Sequence, residues 1–141
     1  MPDLPGSAAA ARLGWFQPLK VWRPARDTIA LVCDPRFPAD DATRLLGAVA
    51  AARPEAVWVV RETDKRARSL LSQSGIDPVL APLVGYWKND RIDLRARWRD
   101  LELIRTCELV LVARDRRSQA SLWWKTRAEG GVYRNIRIAE R

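Results

Sequence analysis

The sequence contains no histidine among its 141 residues and only two cysteines, Cys33 and Cys107. A histidine general base is therefore excluded, and the lack of paired cysteines argues against a zinc site. Two cysteines do not make a disulfide framework, so we interpret both as small core residues of a protein in a reducing cytoplasm. We predict no metal ion and no cofactor.

Long apolar runs are also lacking. No stretch approaches the roughly 20 residues that a membrane-spanning helix needs. The start of the chain is rich in alanine, but Asp3 stands where a secretory signal carries positive charge, and glycine and proline interrupt the segment. We therefore predict no membrane segment, no export signal and a cytoplasmic location.

Positive charge is in excess, because 25 lysines and arginines face 17 acidic residues and give a net charge of +8. This balance favours anionic partners such as nucleotides, nucleic acid or acidic proteins. The alternative is a soluble, positively charged surface without a specific partner. Arginine greatly outnumbers lysine, which suits GC-rich coding, as in an actinobacterium or its phage.

Residues 1–27 are predicted to form an irregular arm, because four prolines are scattered through them. The arm carries Trp15 and Trp22, and apolar surface of this kind is costly in water. It is expected to dock on its own domain or on another chain. With Trp123 and Trp124 these tryptophans make a predicted interface for a homodimer or another protein.

From residue 28 onward, β-branched apolar runs alternate with segments of helical spacing. Strands are predicted at 28–33, 56–60, 77–84, 107–113 and 132–138, and helices at 42–52, 63–75, 94–106 and 120–131. This alternation is typical of a mainly parallel sheet with helices on both faces. We predict one α/β domain over 28–141, a Rossmann-like three-layer sandwich.

Several local signals refine this prediction. Asp40 or Asp41 is expected to cap the helix at 42–52, and Thr63 or Asp64 the helix at 63–75. Gly75 is expected to end the latter helix. Two more tryptophans, at 58 and 98, are expected in the core, whereas the adjacent tryptophans 123 and 124 are not both expected to be fully buried.

The ligands of such sheets bind outside the carboxyl ends of the strands, where helix N-termini also favour anions. Polar and mainly cationic side chains follow the predicted strands at this edge. The candidate ligand contacts among them are Asp34, Arg36, Arg61, Asp64, Arg116 and Ser118. The alternative is that strand-end loops are polar in every α/β protein.

The turn after the second strand reads Arg61-Glu62-Thr63-Asp64 and has no glycine. Phosphate-binding turns at this position normally use glycines, which let the backbone approach the phosphate closely. Glu62 is expected to put negative charge where the phosphate would lie. The turn therefore either serves a different ligand or has lost its ligand.

The order of four short motifs carries a family resemblance. The first motif is CDPRF (33–37), which follows the first strand and ends in Phe37, and the second is Asp64 at the start of the second helix. The third is Arg99-Asp100, eight residues before Cys107-Glu108. The fourth is Gln119-Ala120-Ser121, which precedes the last helix. This order resembles the YspA-like branch of the SLOG superfamily of Rossmann-like nucleotide-binding domains, with the glycines of its motifs replaced. The resemblance adds Arg99 and Gln119 to the candidate ligand contacts.

The resemblance implies a non-enzymatic, degenerate SLOG-like domain. It would bind a nucleotide or a nucleotide-derived anion, or would have lost that ligand. Two alternatives remain open, namely a basic accessory protein that binds nucleic acid non-specifically and a protein–protein interaction module. Catalysis is not predicted, because the carboxylates of Asp34, Glu62 and Asp64 are not accompanied by a recognisable nucleophile–base pair.

Overall fold

The structure, a computed structural model, describes residues 25–81 and 92–141. Its strands are β1 (Ala25–Cys33), β2 (Val57–Arg61), β3 (Val79–Ala81), β4 (Cys107–Arg114) and β5 (Ile136–Glu140). Its helices are α1 (Ala39–Ala52), α2 (Lys65–Gln73), α3 (Ile92–Thr106) and α4 (Leu122–Glu129). Residues 82–91 lie outside the described residues, as do residues 1–24 of the predicted arm, and the last three residues of that arm belong to β1 rather than to an irregular segment.

The strands form one sheet in the order β3-β2-β1-β4-β5, and every neighbouring pair is parallel. Ile29 at the centre of β1 pairs with Trp58 of β2 on one side and with Leu109 of β4 on the other. The chain therefore reverses its direction of winding at β1, and the switch point lies between β1 and β4. This order confirms the predicted α/β Rossmann-like fold.

Two apolar layers cover the faces of the sheet. Ile29 and Leu31 of β1 face one layer, which also contains the inward residues of α1 and α2. The alternate residues Ala30 and Val32 face the other layer, with the inward residues of α3 and α4. Because β1 is apolar on both faces, it is buried between two helical layers, which completes the three-layer sandwich.

Two of the predicted caps have different outcomes. Asp64 caps α2 as predicted, because its Oδ1 accepts a hydrogen bond of 3.0 Å from the N–H of Ala67. The prediction for α1 is wrong, since that helix begins after Pro38 and has no side-chain cap. Asp41 instead lies in the first turn of α1 and pairs with Arg44.

The predicted strand at 132–138 is displaced by four residues at its start. Val132 is 78% exposed, and β5 begins only at Ile136. The amide of Asn135 donates to the carbonyl oxygens of Ile104 and Cys107 and so holds the chain just before the strand. The alternating pattern extends into this loop, which is why the strand is predicted too early.

The tryptophans at 58 and 98 are arranged differently. Trp58 is 3% exposed and belongs to the core as predicted. Trp98 is 45% exposed, so its predicted core position is wrong. The inward face of α3 at this level is occupied by the charged residues Arg99 and Asp100, which are 4% and 1% exposed. None of the helices in the described part of the chain is long and apolar enough to cross a membrane.

Candidate functional site at the carboxyl edge of the sheet

A cleft of about 540 Å³ opens beyond the carboxyl ends of β1 and β2. The described residues that line it are Cys33, Asp34, Pro35, Arg61, Thr63, Asp64, Lys65, Arg66 and Ala120. Three of these side chains are cationic and two are anionic. We call this space the cationic cleft.

Asp64 holds together the two strand ends that form the cleft. In addition to capping α2, its Oδ2 accepts a hydrogen bond of 3.1 Å from the N–H of Cys33 at the end of β1. The same oxygen accepts 2.9 Å from Nη2 of Arg61. Since Asp64 is only 6% exposed and both of its oxygens are occupied, it serves the architecture of the cleft.

A cluster of buried charges lies behind the turn at 61–64. Arg99 of α3 donates a hydrogen bond of 3.2 Å from Nη1 to Oγ1 of Thr63. Asp100 faces Nη1 of Arg61 at 3.9 Å and Nε of Arg99 at 3.6 Å. Arg97 approaches the other Asp100 oxygen at 3.6 Å. The three contacts of Asp100 with arginines are ion pairs whose N–O distances are longer than those of hydrogen bonds.

Several polar atoms of this region are buried without a hydrogen-bond partner among the described residues. They are Nε of Arg61, Nε of Arg66, Nε of Arg99 and Oδ1 of Asp100. Burial lowers the pKa of Arg99 and raises the pKa of Asp100, because the charged forms lose their hydration. Buried ion pairs with unsatisfied polar atoms add little to the free energy of unfolding, so stability alone does not explain this cluster beside the cleft.

A second cavity of about 220 Å³ lies at the switch point, on the other side of the turn at 34–35. Its described lining consists of Asp34, Pro35, Arg36, Asp115, Arg117 and Ser118. Both cavities therefore share Asp34 and Pro35, which form the ridge between them.

Asp34 closes the space between the ends of β1 and β4. Its carboxylate accepts hydrogen bonds from the N–H of Asp115 at 2.8 Å and from the hydroxyls of Ser118 at 3.1 Å and Ser121 at 2.5 Å. Asp34 is 7% exposed. We call this set of hydrogen bonds, between Asp34 and residues 115, 118 and 121, the switch-point bridge.

Arg114 at the end of β4 supports the bridge from behind. Its Nε donates to Oγ of Ser121 at 3.2 Å and its Nη2 to the carbonyl of Ser118 at 3.2 Å. Its Nη1 donates to the carboxylate of Glu140 on β5. Hydrogen bonds from Arg114 and Lys125 hold the pKa of Glu140 below its ordinary value.

The one thiol that lines the cleft is not an activated nucleophile. Burial, followed by the nearby charge of Asp64, raises the pKa of Cys33 to about 12. Its Sγ donates to the carbonyl of Asp34 at 3.5 Å. Because the thiolate is the reactive form, Cys33 is suited to packing rather than to covalent chemistry.

The structure brings some of the predicted ligand contacts together and separates others. Asp34, Arg61 and Asp64 line the cationic cleft, whereas Asp34, Arg36 and Ser118 line the switch-point cavity. Arg99 is buried behind Thr63 and lines neither cavity. Arg116 and Gln119 are exposed and also line neither. The side chain of Arg116 is 74% exposed and lies 3.9 Å from Glu140.

Two cationic residues of the cleft, Lys65 and Arg66, are not among the sequence-predicted contacts. The signal for them is the basic run Lys65-Arg66-Ala67-Arg68 immediately after the capping Asp64. In contrast, Glu62 is exposed and is not among the residues that line the cleft. The expectation that Glu62 places negative charge at a phosphate position stays a prediction.

The four tryptophans of the predicted interface have different environments. Trp124 is 1% exposed and packs in the core between the sheet and α4, so it is not available to a partner. Trp123 is half-buried, and its ring lies under the guanidinium groups of Arg127 at 4.2 Å and Arg97 at 4.9 Å. Trp15 and Trp22 lie outside the described residues.

Comparisons of the chain with family models, with curated proteins and with solved structures find no match. The resemblance to the SLOG superfamily therefore stays a prediction, and the site is interpreted from its own geometry.

Proposed function

We propose that the protein binds a small phosphate-bearing anion, such as a nucleotide or a nucleotide derivative, in the cationic cleft and does not transform it. The observation that carries this proposal is the convergence of Arg61, Lys65 and Arg66 on one cleft at the carboxyl edge of a parallel sheet. The order of motifs that resembles the SLOG superfamily supports a nucleotide-derived ligand.

The charge at the start of α2 is unusual for a helix. The positive end of the helix dipole lies at the N-terminus, where acidic side chains are normally stabilising. The first turn of α2 contains no acidic residue and carries Lys65 and Arg66 instead. The first turn of α1 contains Asp40 and Asp41, as expected. The N-cap carboxylate of Asp64 already faces the positive end of α2. Arg61, Lys65 and Arg66 leave the region with an excess of positive charge that a bound anion would offset.

Binding without catalysis is favoured by the state of the reactive groups. The carboxylates of Asp34 and Asp64 are each occupied by three hydrogen-bond donors, which leaves neither poised as a general base. The Cys33 thiol has a pKa of about 12. The hydroxyls of Ser118 and Ser121 donate to Asp34 inside the switch-point bridge.

The proposal is tested by isothermal titration of the full chain with AMP, ADP-ribose and NAD. We expect at least one of them to bind, and Arg66→Gln to weaken that binding by about tenfold through loss of one charge-assisted contact. Arg68→Gln is the matched control, because this exposed arginine lies on the same helix but does not line the cleft. No heat from any ligand, or equal losses in both variants, would refute the proposal.

A second candidate function, non-specific nucleic-acid binding, is favoured by the exposed cations of the same edge. The side chains of Arg116 and Arg117 are 74% and 76% exposed. Phosphate-backbone binding loses affinity steeply with salt, whereas a small ligand in the cleft is less affected. Titration of a fluorescent single-stranded oligonucleotide at two salt concentrations separates the two functions, because the nucleic-acid function requires a steep loss.

A further inference from the structure

The backbone of the β2–α2 turn has few N–H groups left for a ligand. The N–H groups of Glu62, Asp64, Lys65 and Ala67 all donate to acceptors within the protein. A glycine-rich turn binds pyrophosphate by presenting such groups along the ligand. In this turn, recognition of an anion therefore falls to the side chains.

The neighbouring β1–α1 turn does not offer a second phosphate position. It begins with the buried carboxylate of Asp34, and Pro35 and Pro38 supply no N–H. The first turn of α1 then carries Asp40 and Asp41, of which Asp41 is paired with Arg44 and Arg141. A pyrophosphate that extended from β2 toward α1 would find few backbone N–H groups to bind it, because two residues of the turn are prolines and the N–H of Phe37 donates to the carbonyl of Asp34.

In the other direction, the switch-point bridge separates the cationic cleft from the switch-point cavity of about 220 Å³. A dinucleotide in a doubly wound sheet extends across the crevice at the switch point. Here the N–H of Asp115 and the hydroxyls of Ser118 and Ser121 bind Asp34 across that crevice. A ligand in the cationic cleft is therefore confined to the β2 side of the ridge formed by Asp34 and Pro35.

We infer that the ligand of the cationic cleft carries one terminal phosphate monoester, bound by the side chains of Arg61, Lys65 and Arg66, and that pyrophosphate-bridged dinucleotides are rejected. This inference rests on the proposed function and specifies its ligand. A cleft of about 540 Å³ lies within the range of small-molecule sites and suits a ligand of mononucleotide size.

The three cationic side chains of the cleft exceed its two carboxylates by one positive charge, which favours the more highly charged of two phosphate groups. A phosphate monoester is mostly doubly charged at neutral pH, whereas each phosphate of a diester carries a single charge. The Asp64 carboxylate is paired with Arg61, whereas the Asp34 carboxylate accepts hydrogen bonds from uncharged donors and keeps its negative charge. Arginine side chains favour terminal oxygens, because a planar guanidinium binds two of them at once.

Arg66 has the geometry of a fixed donor. Its Nη2 donates 2.9 Å to the carbonyl of Phe37, which fastens α2 to the β1–α1 turn. Arg61 is held from two sides by Asp64 and Asp100 and keeps 21% of its side chain exposed. Lys65 is exposed at the helix start and adds a third positive charge to the cleft.

The inference is tested by comparing AMP with its 5′-methyl phosphate ester, with ribose 5-phosphate and with NAD, all titrated into the full chain at one ionic strength. The methyl ester is the matched control ligand, because it keeps the base and the sugar and loses one charge. We expect AMP and ribose 5-phosphate to bind, and the ester and NAD to bind at least about tenfold more weakly. In Arg66→Gln the preference for AMP over its ester should shrink, and in Arg68→Gln it should persist.

Equal binding of AMP and its ester, or binding of NAD as tight as that of AMP, would overturn the inference while the proposed function stood. A preference for AMP that was unchanged in Arg66→Gln would also overturn it, since the monoester would then be recognised elsewhere. Absence of binding by all four probes would remove both the inference and the proposed function.

Discussion

The backbone N–H of Asp115 donates a hydrogen bond of 2.8 Å to Oδ2 of Asp34, which fastens the carboxyl end of β4 to that of β1. In many doubly wound sheets the connections that follow these two strands run to opposite faces of the sheet and leave a crevice for the ligand. Here the same carboxylate also receives the hydroxyls of Ser118 and Ser121. The cationic cleft of about 540 Å³ lies on the opposite side of the ridge formed by Asp34 and Pro35, beside the basic start of α2, and is larger than the switch-point cavity of about 220 Å³.

Asp34→Ala is expected to destabilise the protein by about 2–4 kcal/mol, because a buried N–H and two hydroxyls lose their acceptor. Urea unfolding of the two proteins measures this difference. The control is Arg36→Ala, an exposed change two residues away, for which we expect a shift within about 0.5 kcal/mol. Equal effects of the two substitutions would show that the switch-point bridge contributes nothing.

The buried charges of Arg99 and Asp100 predict a non-additive pair of substitutions. Asp100→Leu alone should cost about 3–5 kcal/mol, because it leaves buried arginines without their counter-charge. Adding Arg99→Met should recover most of that loss, since an apolar pair of similar volume replaces a poorly satisfied ionic one. A double-mutant cycle by chemical unfolding measures the coupling. A double variant less stable than the single one would contradict this prediction.

The adjacent tryptophans 123 and 124 should differ sharply when truncated. Trp124→Ala is expected to cost about 3–5 kcal/mol, because it removes a fully buried aromatic side chain. Trp123→Ala should cost less, because that ring is half-buried and part of its surface faces two arginines. Thermal unfolding of both variants checks the order. The reverse order would refute the assignment of Trp124 to the core.

The lowered pKa of Glu140 predicts how stability depends on pH. A carboxylate whose pKa is depressed in the folded state adds stability above its ordinary value of 4.5, and this stability is lost as the pH falls through the folded value. Glu140→Gln should therefore flatten the loss of unfolding free energy between about pH 5 and pH 3. Glu55→Gln, at an exposed acidic residue, is the control for the removal of one carboxylate.

Most of the fold could be predicted because it depends on local patterns. The apolar runs at 28–33 and 107–113 are long and β-branched, and both are central strands. Trp98 could not be placed correctly, because the apolar stripe of α3 is interrupted by the buried pair Arg99 and Asp100. Charged residues in the core contradict the pattern on which such a prediction rests.

The site could be predicted only in part, for a related reason. Asp64 could be predicted as a helix cap because it bonds to Ala67, three residues later. Its pairing with Arg61 also spans only three residues. In the sequence alone, Lys65 and Arg66 look like solvent-exposed residues in the first turn of a helix. Only the structure shows that they line a cleft. The bonds from Asp34 to Ser118 and Ser121 join residues more than eighty positions apart, which no local pattern reveals.

The strand order also has a consequence for how the chain folds. β1 and β2 are close in sequence and can pair early, whereas Ile29 and Leu109 pair only after the long loop between β1 and β4 has closed. Until then one edge of the apolar strand β1 has no neighbour, and such edges are sites of misassociation. Closing a loop of this length slows the search for the native state much more than it lowers final stability. Refolding at high protein concentration should therefore be limited by aggregation of chains in which β4 has not yet reached β1.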